Sequence, residues 1–251
     1  MIFASNPLYC FKPFEEILQM LTPHFDGWEF LAEMEHSWLH RENIHDMIST
    51  SDMHLQIHAP FNDINIASMN PNIVDTSISE IENTFKLAAF IDVQTVTVHP
   101  GIYSPLGKFW DGAHPTVLRS LKRLSILAEE HGVVCALENM PNLRVTMGVT
   151  SEEIYEMISH SNLKFCMDVG HAFTSDTLNA FLDFGITPVN LHIHDNIGKD
   201  DEHRTLGEGD IPLEYVLKKL TDYKGNYVIE GRNLESLLVS KVYLENILRK
   251  L

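Results

Sequence analysis

Cysteine is scarce in this sequence, and that scarcity excludes two kinds of structure. Cys10, Cys135 and Cys166 are the three cysteines among 251 residues, an odd number at wide spacing. A disulfide scaffold or a zinc site built from paired cysteines is therefore not expected. Two of the three lie in apolar runs typical of strands, so we expect them to be buried packing residues.

Long apolar runs are also missing. No stretch approaches the roughly 18 uninterrupted apolar residues of a membrane span. The N-terminus, MIFASNPLYCFKPFEE, lacks the basic start and the long apolar segment of a signal peptide. The sequence therefore predicts a cytoplasmic protein with no membrane partner.

Positive charge is in short supply. The chain has 18 Lys and Arg against 35 Asp and Glu, which gives a formal charge of −17 with the 14 His neutral. Binding of about three divalent ions, as in multi-metal hydrolytic sites, would still leave it acidic. Because duplex binding requires a basic footprint, the composition disfavours long nucleic acid as a partner, although a local basic patch would still permit it.

The chain does contain a regular alternation of strand and helix patterns, with 44% hydrophobic residues to build a core. The predicted strands end near residues 4, 32–34, 57–58, 98–99, 137–138, 167–168, 191–194 and 229–230. The predicted helices cover residues 14–21, 41–48, 74–90, 115–130, 151–159, 176–184, 213–220 and 234–248. Thr150 or Ser151 is the expected cap of the fifth helix, and Ser175-Asp176 that of the sixth.

Eight such repeats, with no linker between them, predict one α/β domain over residues 1–251, a (β/α)8 TIM barrel. Catalytic residues of these barrels gather at the C-terminal mouth of the strands. A doubly wound sheet is the competing fold, but it would require an early glycine-rich phosphate loop. The sequence has none.

Polar side chains stand at several predicted strand exits. His58 ends the run HLQIHAPF and His99 ends TVTVHPG. Either histidine alone could be a hydrogen-bonded structural residue. Glu138 and Glu230 end the apolar runs VVCALE and NYVIE, where a carboxylate is costly to bury unless it is paired or bound to a cation. A salt bridge from Glu138 to Arg144 is the alternative.

The next two strand exits add further donors. Asp168 ends the sixth strand and His171 follows three residues later; a helix cap would explain the aspartate alone. The densest stretch is NLHIHDNIGKDDEHRTLGEGD, residues 190–210. His192 and His194 point to the same side of the seventh strand, because strand side chains alternate. We favour His192 as the ligand and assign His194 to the substrate side or to support of the ligands. Asp201 and His203 could chelate one ion together, with a solvated acidic loop as the alternative.

Nitrogen and carboxylate ligands of this kind suit a divalent metal ion. The predicted ligand set is His58, His99, Glu138, Asp168, His171, His192, Asp201, His203 and Glu230. Asn139, His194 and Arg232, which lie beside these positions in the sequence, are predicted to contact the substrate.

The motifs HAPF, VHPG, LENMP, MDVGHAF, HIHDN, DEHRTLGEGD and VIEG resemble those of the xylose isomerase-like barrel superfamily, also called AP endonuclease family 2. This superfamily includes sugar isomerases, epimerases and endonuclease IV. The resemblance to its epimerases implies that Glu138, Asp168, His192 and Glu230 hold one ion and that both glutamates transfer protons. The resemblance to endonuclease IV implies a cluster of three zinc ions that also uses the other five positions.

Two departures bear on the choice between these branches. Glu138 is followed by Asn-Met-Pro, as in many sugar isomerase-like members, and not by a sequence similar to the Asn-Thr-Ala-Gly of endonuclease IV. The chain is also acidic and compact. The resemblance therefore favours an enzyme acting on a small sugar or sugar phosphate, with one to three ions of Zn, Mn, Co or Mg and a metal-stabilised enediolate.

Two alternatives remain open at the level of sequence. One is an endonuclease IV-like zinc phosphoesterase, cleaving abasic DNA or a small phosphoester. The other is a non-catalytic sensor, for which such a complete ligand set would be needless. The sequence leaves the oligomeric state open.

Overall fold

The fold is a closed barrel of parallel strands surrounded by helices. A computed structural model describes residues 1–109 and 112–251, and within them eight strands pair in chain order, β1 closing the ring against β8. The strands are β1 Ile2–Ser5, β2 Gly27–Leu31, β3 His54–His58, β4 Thr95–Val98, β5 Val134–Glu138, β6 Lys164–Asp168, β7 Asn190–Ile193 and β8 Asn226–Glu230. The predicted TIM barrel is confirmed.

Helices alternate with the strands and cover the outside of the ring. They are α1 Phe14–Leu21, α2 Arg41–Ile48, α3 Pro71–Phe90, α4 Ala113–Glu130, α5 Ser151–Ser161, α6 Val169–Thr174, α7 Leu178–Leu182, α8 Leu213–Lys219 and α9 Leu234–Leu248. Short 3-10 helices cover Pro7–Phe11, Met34–His36, Trp38–His40 and Gly107–Phe109. No helix within residues 1–109 and 112–251 is long and apolar enough to cross a membrane.

Local signals account for most of these boundaries. The predicted cap of α5 is confirmed: Thr150 accepts a hydrogen bond from the backbone N–H of Glu153, whose side chain accepts one from Thr150 in return. This reciprocal pair satisfies two backbone donors at the start of the helix. The core lies in the strands and on the inner faces of the helices, with Trp28, Phe85 and Phe165 fully buried. The three cysteines are buried and free, as predicted.

Two predicted boundaries were wrong. Strand β2 ends at Leu31, and a 3-10 helix begins at Met34, whose positive φ of 49° takes it out of the extended region. The predicted sixth helix, residues 176–184, is shorter, α7 Leu178–Leu182, and the sequence did not predict the helix before it, α6 Val169–Thr174. Helix α6 begins directly after Asp168, and Asp176, with a φ of 55°, separates it from α7. Thr177, and not Ser175-Asp176, is the N-cap residue of α7. Asp168 caps α6, accepting from His171 N–H at 2.6 Å.

Candidate metal centre at the barrel mouth

Parallel strands deliver the predicted donors to one end of the barrel. His58, Glu138, Asp168 and Glu230 are the last residues of β3, β5, β6 and β8. The strand ends are in register: Asp168 pairs with His192 across β6 and β7. Because all eight strands run the same way, their carboxyl ends meet at a common mouth. Histidines and carboxylates far apart in sequence therefore become neighbours.

Glu138 lies at the centre of the mouth, and among the described residues four histidines surround its carboxylate. Its Oε2 lies 3.3 Å from Nε2 of His58 and 3.2 Å from Nε2 of His99. Its Oε1 lies 3.1 Å from Nδ1 of His192 and 3.5 Å from Nδ1 of His171. The predicted alternative, a buried ion pair with Arg144, is wrong because Arg144 is exposed.

The donor atoms form overlapping groups, each small enough to surround one cation. Within the described residues the groups are His58, His99 and Glu138; Glu138, Asp168 and His192; Asp168, His194 and Glu230; and His171, His194, Asp201 and His203. In each group the ligand atoms lie within 4.8 Å of one another. Glu138, Asp168 and His194 each belong to two groups, so the groups adjoin.

Backbone carbonyls fix the orientation of two of the imidazole rings. Nδ1 of His58 lies 2.8 Å from the carbonyl of Ala59, and Nδ1 of His171 lies 2.8 Å from the carbonyl of Asn139. A carbonyl can only accept, so Nδ1 carries the proton in each ring and donates it. Nε2 of each ring faces a carboxylate and, when the ring is neutral, can offer its lone pair to a cation. This arrangement is typical of metal-binding histidines.

His192 and His194, which the sequence left unresolved, have different neighbours. Nδ1 of His192 lies near Glu138 and also 3.3 Å from Oε1 of Glu230. Nε2 of His194 lies 3.4 Å from Oδ1 of Asp168 and 3.1 Å from Oδ1 of Asp201. Both histidines are fully buried. His192 therefore lies between the two glutamates, whereas His194 faces the aspartates.

Opposite charges determine the ionisation of these buried groups. Burial alone would raise the pKa of Glu138, but the charge of His192 and hydrogen bonds from three histidines hold it well below its ordinary value. Burial also opposes ionisation of Glu230, whose pKa is nonetheless lowered, chiefly by His192. His203 shows the converse: its bond to Asp201 and the charge of Glu230 outweigh burial and raise its pKa to about 9.

Several buried atoms at the mouth lack hydrogen-bond partners within the described residues. They are Oδ2 of Asp168, Nε2 of His194, Oδ1 of Asp201 and Oε2 of Glu230. Buried polar atoms are normally paired, because an unpaired one loses its hydration without compensation. These four are nitrogen and oxygen donors that converge on shared positions. The residues present therefore fit divalent cations, with imidazole and carboxylate ligands of the kind that zinc and manganese accept.

Two of the predicted substrate contacts are engaged elsewhere. The side chain of Asn139 is fully buried; its Nδ2 donates to the carbonyl of Asp168 and its Oδ1 accepts from the Asp168 N–H. Asn139 therefore holds the backbone of Asp168, and its contact with substrate stays a prediction. Arg232 is exposed and donates to the carbonyl of Glu202 on the loop after β7.

Glu29 is a neighbour of the site that the sequence reasoning missed. It lies inside β2, fully buried, with Oε1 2.8 Å from Nε2 of His192, although the contact lacks the geometry of a hydrogen bond. Its Oε2 accepts from Asn190 at 2.8 Å and from Thr97 at 3.3 Å. A carboxylate within the apolar run GWEFL was the available signal, by the same argument that singled out Glu138.

Comparisons with known proteins agree with this architecture. The family model described as Xylose isomerase-like TIM barrel matches residues 13–245. An uncharacterized protein of Methanocaldococcus jannaschii is 35% identical over 248 residues, covering 92% of this chain and 83% of that protein.

Two solved structures bear on the two branches of the resemblance. A D-tagatose 3-epimerase-like protein superposes with a TM-score of 0.92 and 30% identity, covering 100% of this chain and 98% of that one. Endonuclease IV from Thermus thermophilus superposes with a TM-score of 0.73 and 18% identity, covering 99% and 98%. At that identity the second likeness concerns the fold alone.

Proposed function

Because this chain belongs to the xylose isomerase-like TIM barrel family, we propose that it is a divalent-metal-dependent isomerase or epimerase of a sugar or sugar phosphate. The observation that carries the proposal is the placement of two carboxylates about one imidazole. Oε1 of Glu138 and Oε1 of Glu230 lie 3.1 and 3.3 Å from Nδ1 of His192. A substrate bound beside His192 would have the carboxylate of Glu138 on one side and that of Glu230 on the other.

The reaction class follows from what those carboxylates can do. A sugar with a carbonyl next to a hydroxyl-bearing carbon changes configuration, or moves its carbonyl, when a proton leaves that carbon and returns. A divalent ion, when bound, supplies the positive charge that stabilises the resulting enediolate oxygens. Glu230 is suited to remove the proton, because its lowered pKa keeps it anionic at neutral pH and its Oε2 has no hydrogen-bond partner within the described residues.

Glu138 is proposed to act from the other side. In an epimerase a proton must reach the opposite face of the carbon, and Glu138 could deliver one after taking it up from a neighbouring protonated histidine such as His192. The similarity to a D-tagatose 3-epimerase-like protein at 30% identity favours a ketose as substrate. The two arginines near the mouth already have protein partners: Arg204 pairs with the carboxylate of Glu202, and Arg232 donates to the Glu202 carbonyl. Their engagement agrees with a small polyol as substrate.

The test is proton exchange on a panel of ketoses and their phosphates, with Mn, Co, Mg or Zn supplied. Glu230→Gln keeps the shape but removes the base, so we expect carbon–deuterium exchange with solvent, followed by NMR, to fall by at least about 100-fold. Glu208→Gln changes an exposed carboxylate of the same rim and should leave the rate unchanged. A wild-type protein that exchanges and converts no sugar of the panel with any of the four metals would contradict the proposal.

A second candidate is a zinc-dependent phosphoesterase. The specific observation in its favour is that Glu138 contacts two groups at once, with His58 and His99 on Oε2 and His192 on Oε1. Adjacent cations bridged by one carboxylate can activate water and stabilise a leaving oxygen. Zinc-loaded protein would be incubated with an abasic duplex and with small phosphoesters. Intact substrates at high enzyme concentration would exclude this candidate.

A further inference from the structure

We propose that Phe61 is a positioning residue: its ring holds the imidazole of His99 toward Glu138, and the carboxylate of Glu33 fixes the loop that carries Phe61. Neither Phe61 nor Glu33 belongs to the predicted ligand set. The inference rests on the candidate metal centre, which the proposed function also needs, but it does not depend on the reaction catalysed there.

His99 lacks the hydrogen bond that orients two of its neighbours. His58 and His171 each donate from Nδ1 to a backbone carbonyl. Nδ1 of His99 makes no hydrogen bond within the described residues, and its Nε2 lies 3.2 Å from Oε2 of Glu138. The side chain of His99 is 21% exposed, against 9% for His58 and 7% for His171. A contact of another kind is therefore needed to hold this imidazole in one orientation.

The ring of Phe61 provides that contact. It stacks on the ring of His99, with centroids 5.0 Å apart and 23° between the planes. It also meets the ring of His58 edge-on, at 5.4 Å and 79°. His58 and His99 are themselves edge-on at 4.7 Å. Stacked and edge-on pairs are the arrangements that aromatic rings prefer, so the three rings restrict one another.

Empty space beside the imidazole makes this contact important. A cavity of about 50 Å³ is lined by Phe61 and His99, with Ile102 and Met140 among the other residues of its wall. Close packing holds a buried side chain in one rotamer, and a cavity removes that restraint. Without the ring of Phe61 the cavity would be larger, and the imidazole could turn its Nε2 away from Glu138.

Glu33 holds the backbone from which Phe61 extends. It follows β2, and its Oε1 accepts from the N–H of Phe61 at 2.8 Å and from that of Asn62 at 3.0 Å. Its Oε2 accepts from Nδ2 of Asn62 at 2.8 Å. Hydrogen bonds to an ionised acceptor are roughly twice as strong as those between neutral groups. Phe61 lies three residues beyond the end of β3, so this carboxylate holds a segment that the strand pairing does not.

The experiment measures the mobility of the His99 ring in metal-free protein and, separately, the affinity for Co²⁺. Histidines are labelled with ¹³C, and the signal of His99 is assigned by its loss in His99→Asn. NMR relaxation then reports the motion of the ring. Competition with a chromophoric chelator gives the affinity for the Co²⁺ ion that His99→Asn fails to bind.

The variants separate the ring of Phe61 from its bulk. Phe61→Leu keeps an apolar side chain without the stacked face, and Phe61→Tyr keeps the ring. Glu33→Ala removes the acceptor of the loop, whereas Glu33→Gln keeps an amide oxygen that can still accept. Phe11→Leu replaces an exposed phenylalanine of the segment after β1 and is the control.

Phe61→Leu and Glu33→Ala should make the His99 ring mobile and lower the Co²⁺ affinity by about 10-fold, as expected when a ligand loses its support. Phe61→Tyr, Glu33→Gln and Phe11→Leu should keep the wild-type values. If Phe61→Leu fails to fold, Glu33→Ala must show the mobility. A rigid His99 ring in these two variants would overturn the proposal. A wild type that binds no Co²⁺ would contradict the proposed function, and the mobility of the metal-free ring would still decide this inference.

Discussion

Glu29 lies inside β2 and not at the mouth of the barrel, yet it contacts a predicted ligand of the candidate metal site. Its Oε1 lies 2.8 Å from the imidazole nitrogen of His192 that faces away from Glu138. When a histidine binds a cation through one nitrogen, an acceptor beside the other nitrogen holds the ring and makes it a better ligand. We therefore expect Glu29 to position His192 and not to contact the ion itself.

Glu29→Gln should weaken the divalent-ion affinity of the Glu138, Asp168 and His192 group by about 10- to 100-fold, the usual effect of losing such a partner. Competition with a chromophoric chelator would measure it. Glu35→Gln, at an exposed carboxylate in the loop after the same strand, is the control and should bind ions like the wild type. Equal affinities for the two variants would show that Glu29 has no positioning role.

His36 provides a test of acid stability away from the mouth. It is fully buried against Phe14, Trp28 and Phe30, its Nε2 lies 3.0 Å from the carbonyl of Lys12, and its Nδ1 has no partner within the described residues. Burial lowers the pKa of His36 to about 4, because a second ring proton would have no acceptor.

The unfolded chain, with an ordinary histidine pKa of 6.5, takes up a proton more readily than the folded chain. The stabilisation from neutral His36 is therefore complete above pH 6.5 and is lost as the pH falls toward 4, at about 1.4 kcal/mol per pH unit. His36→Gln can still donate to Lys12 but does not titrate. Urea unfolding of both proteins should show the wild-type advantage shrinking by about 3 kcal/mol between pH 7 and pH 4. A constant difference would refute the assignment.

At the residue scale, the sequence identified the mouth residues because a charged side chain at the end of an apolar strand is conspicuous. Glu138 and Glu230 met that description, and both lie at the mouth. Glu29 is also a carboxylate in an apolar strand, but it lies within the strand and not at its end. There the alternation of side chains and the residue composition do not reveal which residue it faces. Which of His192 and His194 lies between the two glutamates depends on ring orientation, and ring orientation is a property of the packed barrel.

The element with most influence on the site is the loop from residue 194 to residue 212. Asp195 organises it: Oδ1 accepts from the N–H groups of Asn196 and Ile211, and Oδ2 accepts from that of Gly207. Gly209 passes so close to this carboxylate and to the Asn196 carbonyl that an added Cβ would collide with both. The loop can therefore hold Asp201 in place only if residue 209 has no side chain.

Gly209→Ala should displace the loop and prevent Asp201 and His203 from binding the ion predicted there, while the barrel stays folded. Ion content and circular dichroism would be compared with those of Gly132→Ala. Gly132 has a positive φ, 69°, but an added Cβ there would meet nothing within 4 Å. Its variant should lose about 1 kcal/mol of stability and keep its ions. Full ion content in Gly209→Ala would mean that the loop tolerates the collision.

Helix prediction from sequence failed where a side chain of the site also determines the backbone. Asp168 belongs to two of the candidate ligand groups and also caps α6. Because this helix begins immediately after the strand, residues 169–174 are helical where periodicity predicted no helix, and the turn at Asp176 delays the start of the predicted helix to Leu178. The cap of α5, which has no second role, was predicted correctly from Thr150 and its neighbours.

On the scale of the whole molecule, negative charge is concentrated where cations would be held. The formal charge is −17, and the buried carboxylates at the mouth have histidines as their ion-pair partners among the described residues. Protonated histidines balance the charge only in part, so divalent ions should stabilise the folded state. An ion present at 100 times its dissociation constant contributes about 2.7 kcal/mol.

Removal of metal should therefore lower the thermal unfolding temperature by several degrees, and zinc or manganese should restore it. Calorimetry of stripped and reloaded protein would measure both changes, with calcium at the same concentration as a control for nonspecific screening. Identical unfolding temperatures before and after stripping would contradict bound ions in the folded protein.

The barrel could be predicted from the sequence because each strand–helix unit repeats one pattern. The number of bound ions could not be predicted, because it depends on distances of a few ångströms between side chains.

The carboxylate of Glu138, in contact with histidines on both of its oxygens, places a constraint on how relatives of this chain can diverge. A substitution at this codon would disable two adjoining groups in a single step, whereas replacement of His58 or His99 would disable one and spare the other. A lineage moving from several ions to one would therefore lose first the histidines at the end of β3 and just after β4, and keep the glutamate to the end.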